Sequence, residues 1–259
     1  MSEMTQPVPI VLIHGLIGDL RIVADSDAFG GAPVLAPNLL GYGSNRGVPA
    51  TAITLPAQVE WLESAIAARF GERPVHLVGH SVGGAVAMLF AHRHPQRVAA
   101  LVSIEGNFTL ADAFWSASLA AMPPSEAERL LESMRAQPAA WIAQAVQEPP
   151  AWATALAADW LALQPASTLQ AMARSVVDET GAPSYLDRVR EVFARHPVHL
   201  IAGERSRSGW DVPEWAWRQA ASTTIVAQAG HLPMVDDRQG FPLRLARLLG
   251  MAAPEPVHH

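Results

Sequence analysis

The eight residues LVGHSVGG (77–84) join an apolar run to a stretch with helical spacing, and their reading decides the fold. Within them Gly79-His80-Ser81-Val82-Gly83 has the form G-x-S-x-G. That form has a mechanical meaning when a strand precedes it and a helix follows. The serine then occupies a strained turn, and small residues two positions to either side let the backbone fold back tightly. The helix N-terminus aims free N–H groups at negative charge developing beside the serine. Here VHLVG (75–79) supplies the strand, and Ala85, Val86, Leu89 and Phe90 supply the start of a helix. Ser81 is therefore a candidate nucleophile, and the Val82 N–H is a candidate donor to an oxyanion.

Further apolar runs flank this unit: PIVLIH (9–14), PVLAP (33–37), VAALVSI (98–104), VHLIAG (198–203) and TTIVAQ (223–228). They are continuous rather than alternating, as expected of strands covered on both faces of a parallel sheet. Helical patterns lie between them. One starts near Thr54 with Leu55, Val59, Leu62, Ile66 and Phe70, and another runs from about Phe241 to Leu249. This alternation predicts an α/β fold with a doubly wound, mostly parallel sheet. One segment departs from it. Residues 107–195 contain no convincing strand and are rich in Ala, Met and Trp. Ser125 and Glu128 have capping-box spacing, and prolines divide the rest into short helices. The expected organisation is a core of 1–106 and 196–259 with a helical cap at 107–195, because loops at strand C-termini build the site in open α/β sheets.

Composition narrows the function. The 259 residues are half hydrophobic and carry 18 Lys+Arg against 24 Asp+Glu, a net charge of −6, with no basic run. Phosphate-backbone binding needs clustered cations, so nucleic acid is not expected as a partner. The absence of cysteine excludes disulfides and thiolate chemistry. The N-terminal MSEMTQPVPIVLIHG has no basic n-region and too short an apolar run for a signal peptide or a spanning helix, so a soluble cytoplasmic protein with no membrane association is expected. The terminal His258–His259 carry no functional meaning. No H-E-x-x-H or similar ligand set is present, so neither a metal nor another cofactor is expected.

Two further segments carry chemistry. VLIHGLIGD (11–19) places an HG turn after the first strand, where the Leu16 N–H can face an oxyanion and His14 can brace the turn. His231, in QAGHLPMVDD, follows the last strand and precedes the final helix. That is a position from which a general base reaches a serine hydroxyl. His76, His92, His94, His196 and His199 read as strand, helix-surface or turn residues.

HGLIGD, NLLGYGSN (38–45), GHSVGG and AGH, in this order and spacing, resemble the esterase-like branch of the α/β-hydrolase superfamily. The resemblance covers the chain outside 107–195. Only about eight residues precede the first strand, so it implies a six-stranded sheet without the family's two N-terminal strands. It also implies a catalytic acid, which relatives usually carry as G-x-x-D after the strand before the last. Here that frame reads Gly203-Glu204-Arg205-Ser206, and a serine stands in the acid's place. Three carboxylates are alternatives. Glu105 in VSIEGNF lies 24 residues beyond Ser81, where a branch of the haloalkane dehalogenases places its acid. Asp211 lies five residues past the usual frame, and Glu204 is in the loop itself. A fourth possibility is no functional acid. Glu105 is preferred, since an unpaired carboxylate leaving an apolar run is costly.

The resemblance implies a serine hydrolase acting through an acyl-enzyme on a small or medium apolar carboxylic ester, thioester or lactone, as a monomer or homodimer whose partner is a small-molecule substrate. Trp115, Phe108, Trp141 and Leu232 are candidate pocket residues. C–C bond or amide hydrolysis or a lyase step on the same triad, and a non-catalytic ligand-binding role, are the alternatives. In GWDVPEWAW, Trp215 and Trp217 are two apart, and one of them is expected to face the core.

Overall fold

A computed structural model describes residues 6–251; the N-terminal Met1–Thr5 of the leader reading and the terminal His258–His259 lie outside the described residues. Six strands form one parallel sheet: β1 (Ile10–Ile13), β2 (Val34–Leu35), β3 (Val75–His80), β4 (Val98–Ile104), β5 (Val198–Gly203) and β6 (Ser222–Val226). Their order across the sheet is β2-β1-β3-β4-β5-β6. The chain moves outward from β1 to β2, then returns to place β3 on the other side of β1. That reversal opens a crevice at the strand C-termini, where ligands settle in such sheets.

Among the described residues twelve α-helices connect or follow the strands. Before β4 they are α1 (Arg21–Ala24), α2 (Leu55–Phe70) and α3 (Val82–Arg93). Between β4 and β5 lie α4 (Phe114–Ala121), α5 (Pro124–Ala136), α6 (Pro138–Ile142), α7 (Ala151–Ala162), α8 (Ala166–Gly181) and α9 (Pro183–Arg195). The last three are α10 (Glu214–Gln219), α11 (Pro233–Asp236) and α12 (Gly240–Leu248).

Local chemistry explains the boundaries. Thr54 caps α2 by accepting from the Ala57 N–H at 3.1 Å, and Leu55, Val59, Leu62, Ile66 and Phe70 form its buried stripe. All of β3 is buried, as is α3 from Val82 to Ala91. This helix is enclosed by the sheet, by α2 and by α9. The capping box expected at Ser125 is not formed. Pro124 occupies the first helical position of α5, so the helix begins two residues earlier and Ser125 falls within its first turn. The two tryptophans of α10 also differ from expectation. Both are half-buried, flanking the buried Ala216, with Trp215 packed on Phe193 and Trp217 on Trp210.

Candidate active site

Ser81 sits where β3 turns into α3, with φ 53° and ψ −124°. A non-glycine residue there is strained, and the packing around it holds the turn. At Gly83 a Cβ would lie 2.2 Å from the Ile13 carbonyl oxygen, so the helix start touches the end of β1 and only glycine fits. Residue 81 is the N-cap of α3, and the Val82 N–H is the first free amide of that helix.

The turn after β1 runs directly alongside. A Cβ on Gly15 would come within 3.0 Å of both Ser81 Cβ and His80 Nδ1. The peptide between Gly15 and Leu16 is braced from both ends. His14 Nδ1–H donates to Gly15 O at 2.8 Å, and the Tyr42 hydroxyl donates to Leu16 O at 3.0 Å. His14 Nε2 then accepts from the Leu39 N–H at 3.4 Å, which fixes the tautomer. Burial holds this imidazole below its usual pKa and keeps it neutral. Among the described residues the Leu16 and Val82 amides donate to no other group. Leu16 lines the same cavity as Ser81, and Val82 is the next residue of the turn.

His231 follows β6 in the loop before α11. Its Nδ1–H donates to Glu105 Oε2 at 2.6 Å. Glu105 leaves β4 with φ 44°, a second strained residue at the strand edge, and its side chain is only 4% exposed. The Gly203 N–H and the Ser206 hydroxyl donate to its other oxygen, Oε1, at 2.8 and 2.5 Å. The other two carboxylates are engaged elsewhere: Asp211 accepts from the Thr109 hydroxyl at 2.6 Å, and Glu204 from the Gln228 N–H at 2.8 Å. Ser81 and His231 line the same cavity. No direct hydrogen bond joins them among the described residues.

His80, between the elbow glycine and Ser81, donates its Nε2–H to the His231 carbonyl at 2.9 Å. Its ring centroid is 4.8 Å from that of His231. Burial pushes His80 down to about 3, so it remains a neutral donor. Its place in the motif was visible in the sequence, but its role was not. The same holds for Tyr42, within NLLGYGSN, and for Ser206.

The cavity above Ser81 has a volume of about 540 Å³. Trp115, Trp141 and Leu232 line it with Leu16, Ile17 and Ile142. Phe108, expected among them, is not in the wall. Asp112 accepts from the Phe108 N–H at 2.9 Å, and the ring turns away to pack on Phe193 and Trp210 in the core. Asp112 itself does reach the cavity, and burial pushes its carboxyl up to about 6. Among the described residues no group of three or more His, Cys, Asp or Glu is placed to hold a metal. No helix among them is long and apolar enough to cross a membrane.

A parallel sheet crossed at β1 and β3, with serine, histidine and carboxylate arriving from three strand ends, defines the α/β-hydrolase class. Residues 8–237 match the family model described as alpha/beta hydrolase fold, and the chain belongs to that family. It is 40% identical over 100 residues to lipase LipV of Mycobacterium tuberculosis, covering 38% of this chain and 37% of that protein. It is 30% identical over 113 residues to lipase 3 of a Moraxella species, covering 43% of this chain and 34% of that one. The chain thus matches little more than a third of each relative's length. Among solved structures it is similar to a thermophilic esterase from Thermogutta terrifontis, with TM-score 0.70 at 20% identity over 94% of this chain and 89% of that one.

Proposed function

We propose that this chain is a serine hydrolase cleaving small or medium, uncharged carboxylic esters. In this reading Ser81 attacks the acyl carbon while His231 accepts its proton. The Leu16 and Val82 N–H groups hold the oxyanion. Glu105 keeps His231 Nδ1 protonated, so that Nε2 is free as the base, and stabilises the imidazolium that forms. His231 returns the proton to the leaving alkoxide, and water then resolves the acyl-enzyme by the same steps. The observation that carries the proposal is the 2.6 Å contact of His231 Nδ1 with a buried carboxylate, beside a strained serine that lines the same cavity.

Substrate class follows from the cavity. Tryptophan and aliphatic side chains share its walls with polar ones such as Asn107, Ser116 and Gln144, in a volume suited to a small organic ligand. Arg205 is its one cation among the described residues. That guanidinium is engaged by the Gln228 and Ala145 carbonyls at 2.9 and 3.3 Å and by Asp236 at 3.5 Å. Glu105 and Asp112 add negative character, so an anionic substrate finds no counter-charge. Thioesters and lactones of similar size share the reactive carbonyl and fall in the same class. We read residues 107–195, which hold α4 to α9, as a helical cap over the site and the protein as cytoplasmic, a monomer or homodimer.

Turnover of a short p-nitrophenyl ester, lost in Ser81→Ala, and labelling of Ser81 by a fluorophosphonate test the proposal. No turnover together with no labelling would overturn it.

A further inference from the structure

We propose that Ser206 is a positioning residue whose hydroxyl pins the Glu105 carboxylate in the orientation His231 needs. The proposal rests on the serine-hydrolase reading above and adds a fourth side chain to its relay.

Glu105 is buried, and among the described residues its one ion-pair partner is His231, with no Arg or Lys in reach. A buried carboxylate without a cation depends on hydrogen bonds for both its charge and its orientation. Oε2 is committed to His231, so Oε1 must supply the anchoring. Two donors meet it, the Gly203 N–H at 2.8 Å and the Ser206 hydroxyl at 2.5 Å. The first is backbone and persists whatever the side chains are. The second is a choice made by the residue at 206.

The need for a second donor follows from the acid being a glutamate. Its terminal torsion is broad and roughly two-fold, so a single bond on Oε1 leaves the carboxylate plane free to swing. Two donors on one oxygen, one from the last residue of β5 and one from the loop after it, fix that plane and present Oε2 to Nδ1. Ser206 can commit its proton. Its other acceptor, Gly203 O, lies at 3.4 Å, close to the outer limit of a hydrogen bond. The residue has ordinary right-handed φ and ψ at the head of the Arg207–Gly209 turn, so no backbone strain accounts for a serine there.

The test compares steady-state ester hydrolysis and thermal melting of wild type, Ser206→Ala, Ser206→Thr, Glu105→Gln and the Glu105→Gln/Ser206→Ala double variant. Loss of a hydrogen bond to a charged group predicts that Ser206→Ala lowers kcat roughly 10- to 100-fold, with KM changed less than about threefold. Ser206→Thr, which keeps the hydroxyl, restores most of that loss. In the double variant the alanine costs nothing beyond Glu105→Gln, since the group it positions is already gone. Wild-type kcat in Ser206→Ala would overturn the proposal. So would losses that multiply in the double variant, or a lowered melting temperature with kcat intact. A wild-type enzyme that neither turns over esters nor takes the fluorophosphonate refutes the underlying reading instead.

Discussion

Replacing Glu105 with glutamine keeps the shape of the side chain and removes its charge, and the surrounding donors dictate what happens next. Oε1 faces the Gly203 N–H and the Ser206 hydroxyl, so the glutamine carbonyl oxygen takes that side. The amide NH2 is then turned toward His231 Nδ1, 2.6 Å away in the wild type. Two donors cannot face each other there, so His231 moves its proton to Nε2 and loses the lone pair that receives the Ser81 proton. The outcome is a wrong tautomer held in the right place. In a serine-protease triad, the same loss of charge, aspartate changed to asparagine, lowers kcat about 10⁴-fold. At about 1.4 kcal/mol per tenfold change, the expected 10³- to 10⁴-fold loss here corresponds to about 4–5.5 kcal/mol of transition-state stabilisation. The assay is kcat on a p-nitrophenyl ester, with fluorophosphonate labelling rate as an independent readout of Ser81 nucleophilicity. Asp211→Asn, whose carboxylate among the described residues answers only the Thr109 hydroxyl, serves as the control and should stay within about twofold of wild type. A Glu105→Gln enzyme within about tenfold of wild type would refute the tautomer argument, and a crippled Asp211→Asn would move the acid.

Two further outcomes follow from strain and from burial. Ser81→Gly should abolish turnover yet raise stability by about 1 kcal/mol in urea unfolding, since residue 81 holds φ 53° at a cost glycine does not incur; a destabilised glycine variant would mean that the turn is not strained. His80 and His76 are pushed by burial to about 3 and about 4 from an ordinary 6.5. Below pH 6.5 the unfolded chain takes up protons that these folded histidines refuse, so stability is full above that pH and falls as pH drops toward 4. Each contributes up to about 1.4 kcal/mol per pH unit in that window. Urea midpoints that stay flat between pH 7 and pH 4.5 would contradict this.

Much of the architecture was legible because it depends on features that a sequence displays directly. Continuous apolar runs marked all six strands, and a threonine before a helical stripe marked the start of α2. The elbow glycines at 79 and 83 reported a crowding that the structure shows as backbone against backbone. What the sequence does not display depends on which way a loop turns. Phe108 lies three residues after Glu105 and was expected in the cavity, but the Asp112 carboxylate draws in its amide and sends the ring into the core. Periodicity carries no information about such a turn. Ser206 shows the same limit from the other side. The sequence revealed that the usual acid was absent there, while the hydroxyl's partner lies 101 residues away and became visible only in three dimensions.

The identity of the acid, glutamate rather than aspartate, has a geometric reason that can be tested by moving it. Adjacent strands lie about 4.8 Å apart. A carboxylate leaving β5 crosses one such gap to reach His231 beyond β6, whereas Glu105 leaves β4 and passes over the end of β5. Its N–H still donates to Ile201 O at 3.0 Å, so the backbone has not moved toward the histidine, and the side chain makes up the distance. It reaches the end of β5, where the Gly203 N–H meets Oε1 at 2.8 Å. Shortening it by one carbon withdraws the carboxylate by about 1.5 Å, which breaks the contact with Nδ1. Glu105→Asp should therefore lose at least about 100-fold in kcat despite keeping its charge. The complementary change puts the acid where one gap suffices. Ser206 Oγ lies 2.5 Å from Oε1, so an aspartate at 206 places its carboxylate in the space that Glu105→Ala vacates. The Glu105→Ala/Ser206→Asp variant should recover at least about tenfold in kcat over Glu105→Ala alone. If it recovers nothing while Glu105→Asp remains active, side-chain reach does not determine the acid's identity, and the preference for glutamate on β4 must lie in the strained backbone at residue 105.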